Sequence, residues 1–335
     1  MGRAACLAAL VLAACLPKPT PSAPPAPPSA RTPTSPPAPA AAPSPLPREA
    51  AIPASAAKFG PETDPYPPVL HAAGWEQPIP LPGPINTAGA EDSPFITPDG
   101  ATLYFFFTPD ASVPPEQQLF DGVTGIYVSH RQGDSWQAPE RVILQDPGKL
   151  TLDGCAFVLG DVMWFCSARE GYRGIRLFTA RFIDSRWQGW ADAGDLLNLT
   201  YETGEMHISA DGSELYFHSA RAGGLGDLDL WVSRWDGAAW GLPENVAAVN
   251  SPAAEGWPFV SQDGHEFWFT RTYLGAPAIF RSQKVDGGWG EPELILSHFA
   301  GEPTLDLAGD LYFVHHFVQD GRILEADIYI AYRKH

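Results

Sequence analysis

The chain has 335 residues, and its 39 acidic and 21 basic side chains give a formal net charge of −18 at pH 7. This charge argues against nucleic acid and anionic membrane surfaces as partners, because both are bound through basic faces. Residues 74–335 are enough for one barrel or propeller domain with a large core, so no second globular domain is expected.

The N-terminus has the pattern of a secretion signal. The apolar run Ala4–Ala14 is too short to cross a bilayer and suits a signal peptide over residues 1–14. The segment Leu12–Cys15 resembles the lipobox of bacterial lipoproteins, which implies cleavage before Cys15 and lipid attachment there. Leu16 follows in place of the aspartate of inner-membrane retention, so we expect an outer-membrane lipoprotein, periplasmic or surface-exposed. The alternative is an ordinary secretory signal with a chance cysteine.

A proline-rich linker follows, and we assign residues 15–73 to the lipidated cysteine plus this linker. Residues 17–47 contain 14 prolines in 31 positions, a composition that cannot form a core. Proline favours the extended polyproline conformation, so the segment is expected to be a semi-rigid spacer. A proline-rich ligand for another domain is the alternative.

The remainder contains five copies of one turn-and-strand unit. The copies are Ser93–Phe107, Cys155–Ser167, Glu205–Ser219, Trp257–Thr270 and Glu302–Val314. Asp211 and Asp263, in consecutive copies, are 52 residues apart, a period typical of propeller blades. Asp-Gly turns between apolar runs predict tight hairpins within each unit.

These repeats predict an all-β, five-bladed β-propeller of four-stranded antiparallel blades over residues 74–335. The last copy lacks a fourth strand, and the segment Trp75–Leu81 has the missing signature. We therefore expect this segment to pair with Asp327–Tyr332 and close the ring, which removes unpaired edges. The second strands carry aromatics at consecutive positions, so both of their faces should be buried.

The repeat EGWPFVSQDGHEFWFT, which begins at Glu255, resembles the WD40-like propeller repeats of the TolB type found in bacterial envelope proteins. The resemblance covers nearly everything from Trp75 onward. It implies a non-catalytic binding or scaffolding module whose partner is an envelope protein or cell-wall polysaccharide. We expect a monomer that reaches the membrane only through its lipid anchor.

An acidic residue occurs where each first strand begins. The acids are Glu91, Asp92, Asp153, Glu205, Glu255 and Glu302. First strands are innermost in a propeller, so these carboxylates are predicted to ring one mouth of the central channel and bind a ligand there, together with Trp257 and His207. The alternative is that each acid accepts hydrogen bonds between blades as part of the repeat.

The enzymatic alternative is a glycoside hydrolase-like protein that uses carboxylates at the channel mouth. Such catalysis needs two carboxyl groups with unequal pKa values at a separation of about 5 to 9.5 Å. Asp153, Glu205 and Glu255 are the candidates, and Trp257 and His207 would line a sugar site. A repeated acid indicates symmetry, however, whereas a catalytic pair should break it.

Cysteine and metal chemistry is limited. A tight turn at Gly160-Asp161 would place Cys155 opposite Cys166, which leaves a disulfide and two reduced core cysteines as alternatives. Asp227 and Asp229 follow a glycine-rich stretch and are weak candidates for calcium, although the same glycines suit a tight loop. No cofactor is otherwise expected.

Overall fold

The computed structural model describes residues 47–334. The signal peptide, Cys15 and most of the proline-rich linker lie outside the described residues. Within them the chain is almost entirely β, with short helices at Arg48–Ala51 and Pro115–Gln118 and a π-helix at Leu196–Thr200. No helix among residues 47–334 is long and apolar enough to cross a membrane.

The main strands form antiparallel meanders, numbered here 1 to 5 along the chain. Meander 1 comprises Ala90–Ile96, Thr102–Thr108, Gly125–Gln132, Ser135–Trp136 and Glu140–Arg141. Meander 2 comprises Thr151–Leu159, Val162–Arg169, Ile175–Ile183 and Arg186–Asp192. Meander 3 comprises Met206–Ile208, Glu214–Ser219, Asp229–Arg234 and Glu244–Asn245. These sheets confirm the all-β prediction of four-stranded antiparallel units.

The last two meanders each receive a strand from the N-terminal part of the chain. Meander 4 comprises Glu255–Val260, Glu266–Tyr273, Ala276–Val285, Gly288–Trp289 and Glu293–Ser297, to which Val69–Leu70 pairs. Meander 5 comprises Ala300–Leu305, Leu311–Gln319 and Arg322–Ala331, to which Ile79–Pro80 pairs.

The added strand of meander 5 lies within the segments that the sequence analysis matched. Ile79 pairs with Ile330, and Trp75 forms a bridge with Arg333. Meanders 5 and 1 belong to one sheet, joined by the parallel pair Ala326 and Ala90. The first strands of consecutive meanders contact one another, and that of meander 5 contacts that of meander 1. This order supports a β-propeller fold, in which first strands are innermost.

The core lies between meanders. Tyr104, Phe105, Phe106 and Phe107 are consecutive and all buried, so both faces of this second strand are covered, as predicted. The Asp-Gly turns also form as predicted. In one of them Gly212 adopts a φ of 74°, which a side chain would disfavour.

Candidate functional site at the ends of the first strands

A β-bulge interrupts the first strand of four meanders at the same point. The pairing register shifts between Asp92 and Phe95, and likewise in meanders 2, 4 and 5. The first residue inside each register shift has a left-handed backbone. These residues are Ser93 (φ 47°), Cys155 (53°), Trp257 (52°) and Glu302 (56°). Glu205 of meander 3 occupies the equivalent place, directly before Met206–Ile208. We call Ser93, Cys155, Glu205, Trp257 and Glu302 the bulge residues.

The left-handed conformation is unfavourable for residues other than glycine and marks stored strain. Bulges re-aim side chains, and here they bring the bulge residues to one recess of about 60 Å³. The recess is lined only by the bulge residues and the two residues that follow each of them. The five side chains are of four different types, so the repeat is broken at this position.

Aromatic rings form the floor of the recess. The His207 ring lies between those of Phe157 and Phe259, with centroids 4.6 Å away on each side, and Phe95 packs on Phe157 at 5.1 Å. We call these four residues the aromatic belt. Burial lowers the pKa of His207 to about 3, so its ring is neutral at physiological pH. A cavity of about 300 Å³ lies on the other side, also lined by the belt.

Glu302 is the most isolated acid of the recess. Its side chain belongs to a residue only 6% exposed, and neither carboxyl oxygen has a hydrogen-bond partner in the described part of the chain. Its backbone N–H donates to the Thr270 hydroxyl at 2.8 Å, which anchors the bulge. Burial, and then the charges of Asp92 and Glu205, raise the pKa of Glu302 well above its ordinary value, and the nearby Ser93 opposes the shift.

Glu205 has one direct side-chain partner. The Cys155 thiol donates to its carboxyl group at 3.2 Å. Burial raises the pKa of Glu205 to about 7, the Asp92 charge adds to the effect, and the contacts with Cys155 and Trp257 oppose it. The two acids of the recess therefore hold protons more tightly than free carboxyl groups.

Asp92 lies directly before a bulge residue and is 1% exposed. One of its oxygens accepts the N–H of Ser93 at 2.8 Å, and the other lies 3.7 Å from Nε2 of His316. Asp92 does not line the recess, but its charge acts on both Glu205 and Glu302.

The prediction of one ring of acids is wrong for Glu91, Asp153 and Glu255. Each of these precedes its bulge residue by two positions, is buried, and does not line the recess. Each pairs instead with an arginine: Glu91 with Arg48 at 3.1 Å, Asp153 with Arg169 at 3.0 Å and Glu255 with Arg271 at 2.7 Å. The acids that begin the first strands thus belong to three structural positions: two residues before the bulge residue, one residue before it as Asp92, and the bulge residue itself.

The arginines of these pairs are sandwiched by aromatic rings. The Arg169 guanidinium lies 4.3 Å from the centroid of Trp190 and 5.2 Å from that of Phe178. Burial raises the pKa of Asp153, and the charge of Arg169 opposes this. The ion pairs of Asp153 and Glu255 lie within one meander, and that of Glu91 reaches the N-terminal segment, so none of them is the predicted contact between blades.

The predicted register of the cysteines is wrong, because the bulge removes Cys155 from the ladder. Leu159 pairs with Val162 as expected, but Cys166 pairs with Gly154. Cys155 and Cys166 are both free thiols, so the disulfide alternative is not what the structure contains.

The weak calcium candidates do not converge. Asp229 is buried and accepts hydrogen bonds from the backbone N–H groups of Leu225 and Gly226, whereas Asp227 is exposed. Among residues 47–334, no three His, Cys, Asp or Glu side chains are grouped so as to hold a metal ion. The Asp229 carboxylate therefore fixes the glycine-rich loop.

Four of the candidate ligand-binding residues line the recess: Glu205, His207, Trp257 and Glu302. Sequence reasoning did not place Ser93 and Cys155 there, and it missed His218, which adjoins the recess. His218 packs against Gly204 and Gly256, where a Cβ would collide with or crowd its ring, and its Nδ1 accepts the Trp257 N–H at 3.4 Å. A proline follows Ser93, Trp257 and Glu302, and proline inside a strand is confined to edges, strand starts and bulges. The proline in these three copies was the sequence signal that could have predicted the bulges.

No family model matches the sequence, and a search of the curated proteins finds no match. Among solved structures, the chain is similar to an endo-arabinase from Bacteroides thetaiotaomicron, at 15% identity and a TM-score of 0.47, covering 77% of this chain and 96% of that one. It is similar to TolB from Acinetobacter baumannii at 11% identity and a TM-score of 0.41, covering 74% and 55%. A gluconolactonase from Xanthomonas campestris matches at 13% identity and 0.43, covering 80% and 95%. Similarity at this level carries no argument about what this chain does.

Proposed function

We propose that this protein is a lipid-anchored binding module of the bacterial envelope. Its partner is an envelope protein, which docks over the recess at the ends of the first strands. The observation that carries the proposal is the set of bulge residues: equivalent positions of a repeat, four of them with a left-handed backbone, hold unlike side chains that line one recess. Strain of this kind clusters at functional sites.

The proposed architecture is a five-bladed ring. Its support is the cyclic order of contacts among first strands, and the pairing of Ile79–Pro80 with the last meander. In a ring of this kind the recess opens at one mouth of the axis.

The surface around this mouth favours a protein partner. In an antiparallel pair the first strand begins where the second ends, so the loops between second and third strands lie at the recess end. We call this surface the loop face. Three of its loop tips carry exposed apolar side chains: Phe120 (70%), Leu225 (57%) and Leu274 (90%). A protein partner that docks over the recess would bury these apolar side chains.

Glycoside hydrolysis, the second function considered from the sequence, lacks support at this site. Asp153 and Glu255, two of its three candidate acids, are engaged by Arg169 and Arg271. The recess of about 60 Å³ is also far below the roughly 300 to 1,000 Å³ of small-molecule pockets. A larger cavity of about 510 Å³ lies at the opposite end, beside Asp263 and Leu307, and none of the predicted acids lines it.

Site-specific photo-crosslinking in intact cells tests the proposal. A photoreactive amino acid at position 274 should give a discrete cross-linked protein, because Leu274 is on the loop face. The matched control is position 242, since Leu242 is 81% exposed but lies on the opposite face. Cross-links of equal yield and pattern from both positions would reject docking over the recess.

A further inference from the structure

The recess contains buried polar groups without partners among the residues described: the carboxyl oxygens of Glu302 and two donors, the Ser93 hydroxyl and the Trp257 indole N–H. Both oxygens of Glu302 lack a partner among residues 47–334, although the residue is 94% buried. The Glu205 carboxyl group, which lines the same recess, receives one side-chain donor, the Cys155 thiol. Buried carboxyl groups normally have several donors, because an unpaired one is costly. The geometry therefore has room for a donor supplied by another molecule.

The lining of the recess carries no permanent positive charge. No lysine or arginine lines the recess. The titratable groups that face or adjoin it are Asp92, Cys155, Cys166, Glu205, His207, His218, Glu302 and His316. Burial lowers the pKa of His218 to about 4, so this ring, like that of His207, is uncharged near neutral pH. The missing donor is thus expected to carry positive charge.

The shape of the recess limits the size of that donor. The volume of about 60 Å³ suits a compact cation at the end of an apolar stem. The Trp257 side chain lines the wall, and an indole face attracts cations. The aromatic belt forms an apolar floor that stops deeper entry.

We propose that the recess binds the primary ammonium group of a lysine side chain on the docking protein, between the carboxylates of Glu205 and Glu302. This assignment rests on the proposed function and specifies the chemistry of its partner. An ammonium group is a compact point charge with three donors, whereas a planar guanidinium group is larger and presents its donors in a fixed fork. The apolar loop tips then contact the residues on either side of the inserted lysine.

Binding should be linked to proton release. The ammonium group favours the ionised forms of Glu205 and Glu302, whose pKa values are raised in the free protein. Affinity should therefore rise between pH 6 and pH 8. A ligand held only by the exposed apolar loop tips would show no such dependence.

The test uses the acetylated and amidated pentapeptide Ala-Leu-Lys-Leu-Ala in isothermal titration against the full chain. Companion peptides carry acetyl-lysine, norleucine or arginine at the centre. The lysine peptide should bind at least about tenfold more tightly than the acetyl-lysine and norleucine peptides, and more tightly than the arginine peptide. Equal binding of the lysine and norleucine peptides would overturn the proposal.

Variants locate the binding site. Glu302→Gln and Glu205→Gln should each weaken the lysine peptide about tenfold or more, and Trp257→Phe should weaken it less. Glu116→Gln changes an exposed acid in the short helix Pro115–Gln118 on the same face, makes the same charge change and should leave binding unaltered. Melting curves verify that each variant is folded, and Trp257→Phe still tests the site if either glutamine variant is not.

The cross-linking and peptide experiments together distinguish failure of the ammonium assignment from failure of the proposed docking. If Glu302→Gln leaves the cross-link from position 274 intact and the lysine peptide does not bind, docking stands and the ammonium assignment fails. If position 274 gives no cross-link while the lysine peptide binds as expected, the recess chemistry stands and docking of an envelope protein fails. Saturable binding of Zn²⁺ or Ca²⁺ alone, lost in both glutamine variants, would replace the ammonium group by a metal ion.

Discussion

At the scale of single residues, two kinds of acid begin the first strands. The kind represented by Asp153 is buried against an arginine, and the kind represented by Glu302 is buried without a partner. Removing the arginine that faces an acid of the first kind should lower the stability of the folded protein. Removing the carboxyl charge of an acid of the second kind should raise it.

Arg169→Met should reduce the free energy of unfolding by about 3 to 5 kcal/mol, because it leaves the Asp153 carboxylate buried without its counter-charge. The matched control is Arg181→Met in the same meander. Arg181 and Asp161 form an exposed ion pair, so its loss should cost about 0 to 1 kcal/mol. Urea denaturation measures both, and similar losses in the two variants would contradict the structural role of the buried pair.

The Glu205→Gln variant should gain stability relative to the wild type when the pH rises from 5 to 8. The pKa of Glu205 in the folded protein, about 7, lies above its ordinary value of 4.5. Between these two values the unfolded chain releases the proton and the folded protein keeps it, so wild-type stability falls as pH rises. Glutamine has no proton to lose, and each pKa unit is worth about 1.4 kcal/mol. A stability difference between variant and wild type that is the same at both pH values would show that this carboxyl group is not perturbed.

Sequence patterns predicted acids at these places but not their division into two kinds. Side chains alternate along a strand, so Glu91 and Ser93 should share a face in a regular ladder. The bulge breaks this alternation, so Ser93 lines the recess and Glu91 does not. A shift of one residue in register also displaced Cys155, and composition alone does not reveal such shifts.

At the scale of elements, residues 47–73 pack on the sheets although they were assigned to the linker. Arg48 is 3% exposed and pairs with Glu91, and Lys58 pairs with Asp327 at 2.5 Å and with Glu325. Both cations lie over aromatic rings of the meander they contact, as Arg169 and Arg271 do in meanders 2 and 4. The N-terminal segment thus supplies meanders 1 and 5 with cations that meanders 2 and 4 carry in their own second strands.

A chain that begins at Gly60 should melt roughly 10 °C or more below a chain that begins at Pro47. The shorter chain lacks Arg48 and Lys58 and leaves Glu91 and Asp327 buried without counter-charges. Calorimetry of the two chains compares them, and Arg48→Gln in the longer chain isolates one pair. Equal melting temperatures would mean that the segment does not stabilise the sheets.

The strands themselves were predictable because their signals are local. Asp-Gly turns and apolar runs each act within a few positions of the chain, and the repeat of about 50 residues shows the same local pattern several times. The contacts of Arg48 with Glu91 and of Lys58 with Asp327 join residues 43 and 269 positions apart. No local pattern indicates pairs so far apart in the chain, so the sequence analysis left Arg48 and Lys58 in the linker.

At the scale of the whole molecule, we propose a binding domain on a lipid anchor. Metabolic labelling with an alkyne fatty acid in a bacterial host should mark the wild-type protein and Cys155→Ser, and should fail for Cys15→Ser. Both variants remove one thiol, so only the lipobox cysteine distinguishes them. Labelling that persists in Cys15→Ser would contradict lipid attachment at this residue.

Hydroxyl-radical footprinting tests the central claim, docking on the loop face, most directly, because it reports protection whatever the identity of the partner. Reactivity is compared between the protein in intact cells and the purified protein. We expect Phe120, Leu225 and Leu274 to be protected in cells, and Leu242 and Leu307 on the opposite face to react equally in both samples. Unchanged reactivity at all three loop tips, or protection confined to Leu307, would contradict docking over the recess.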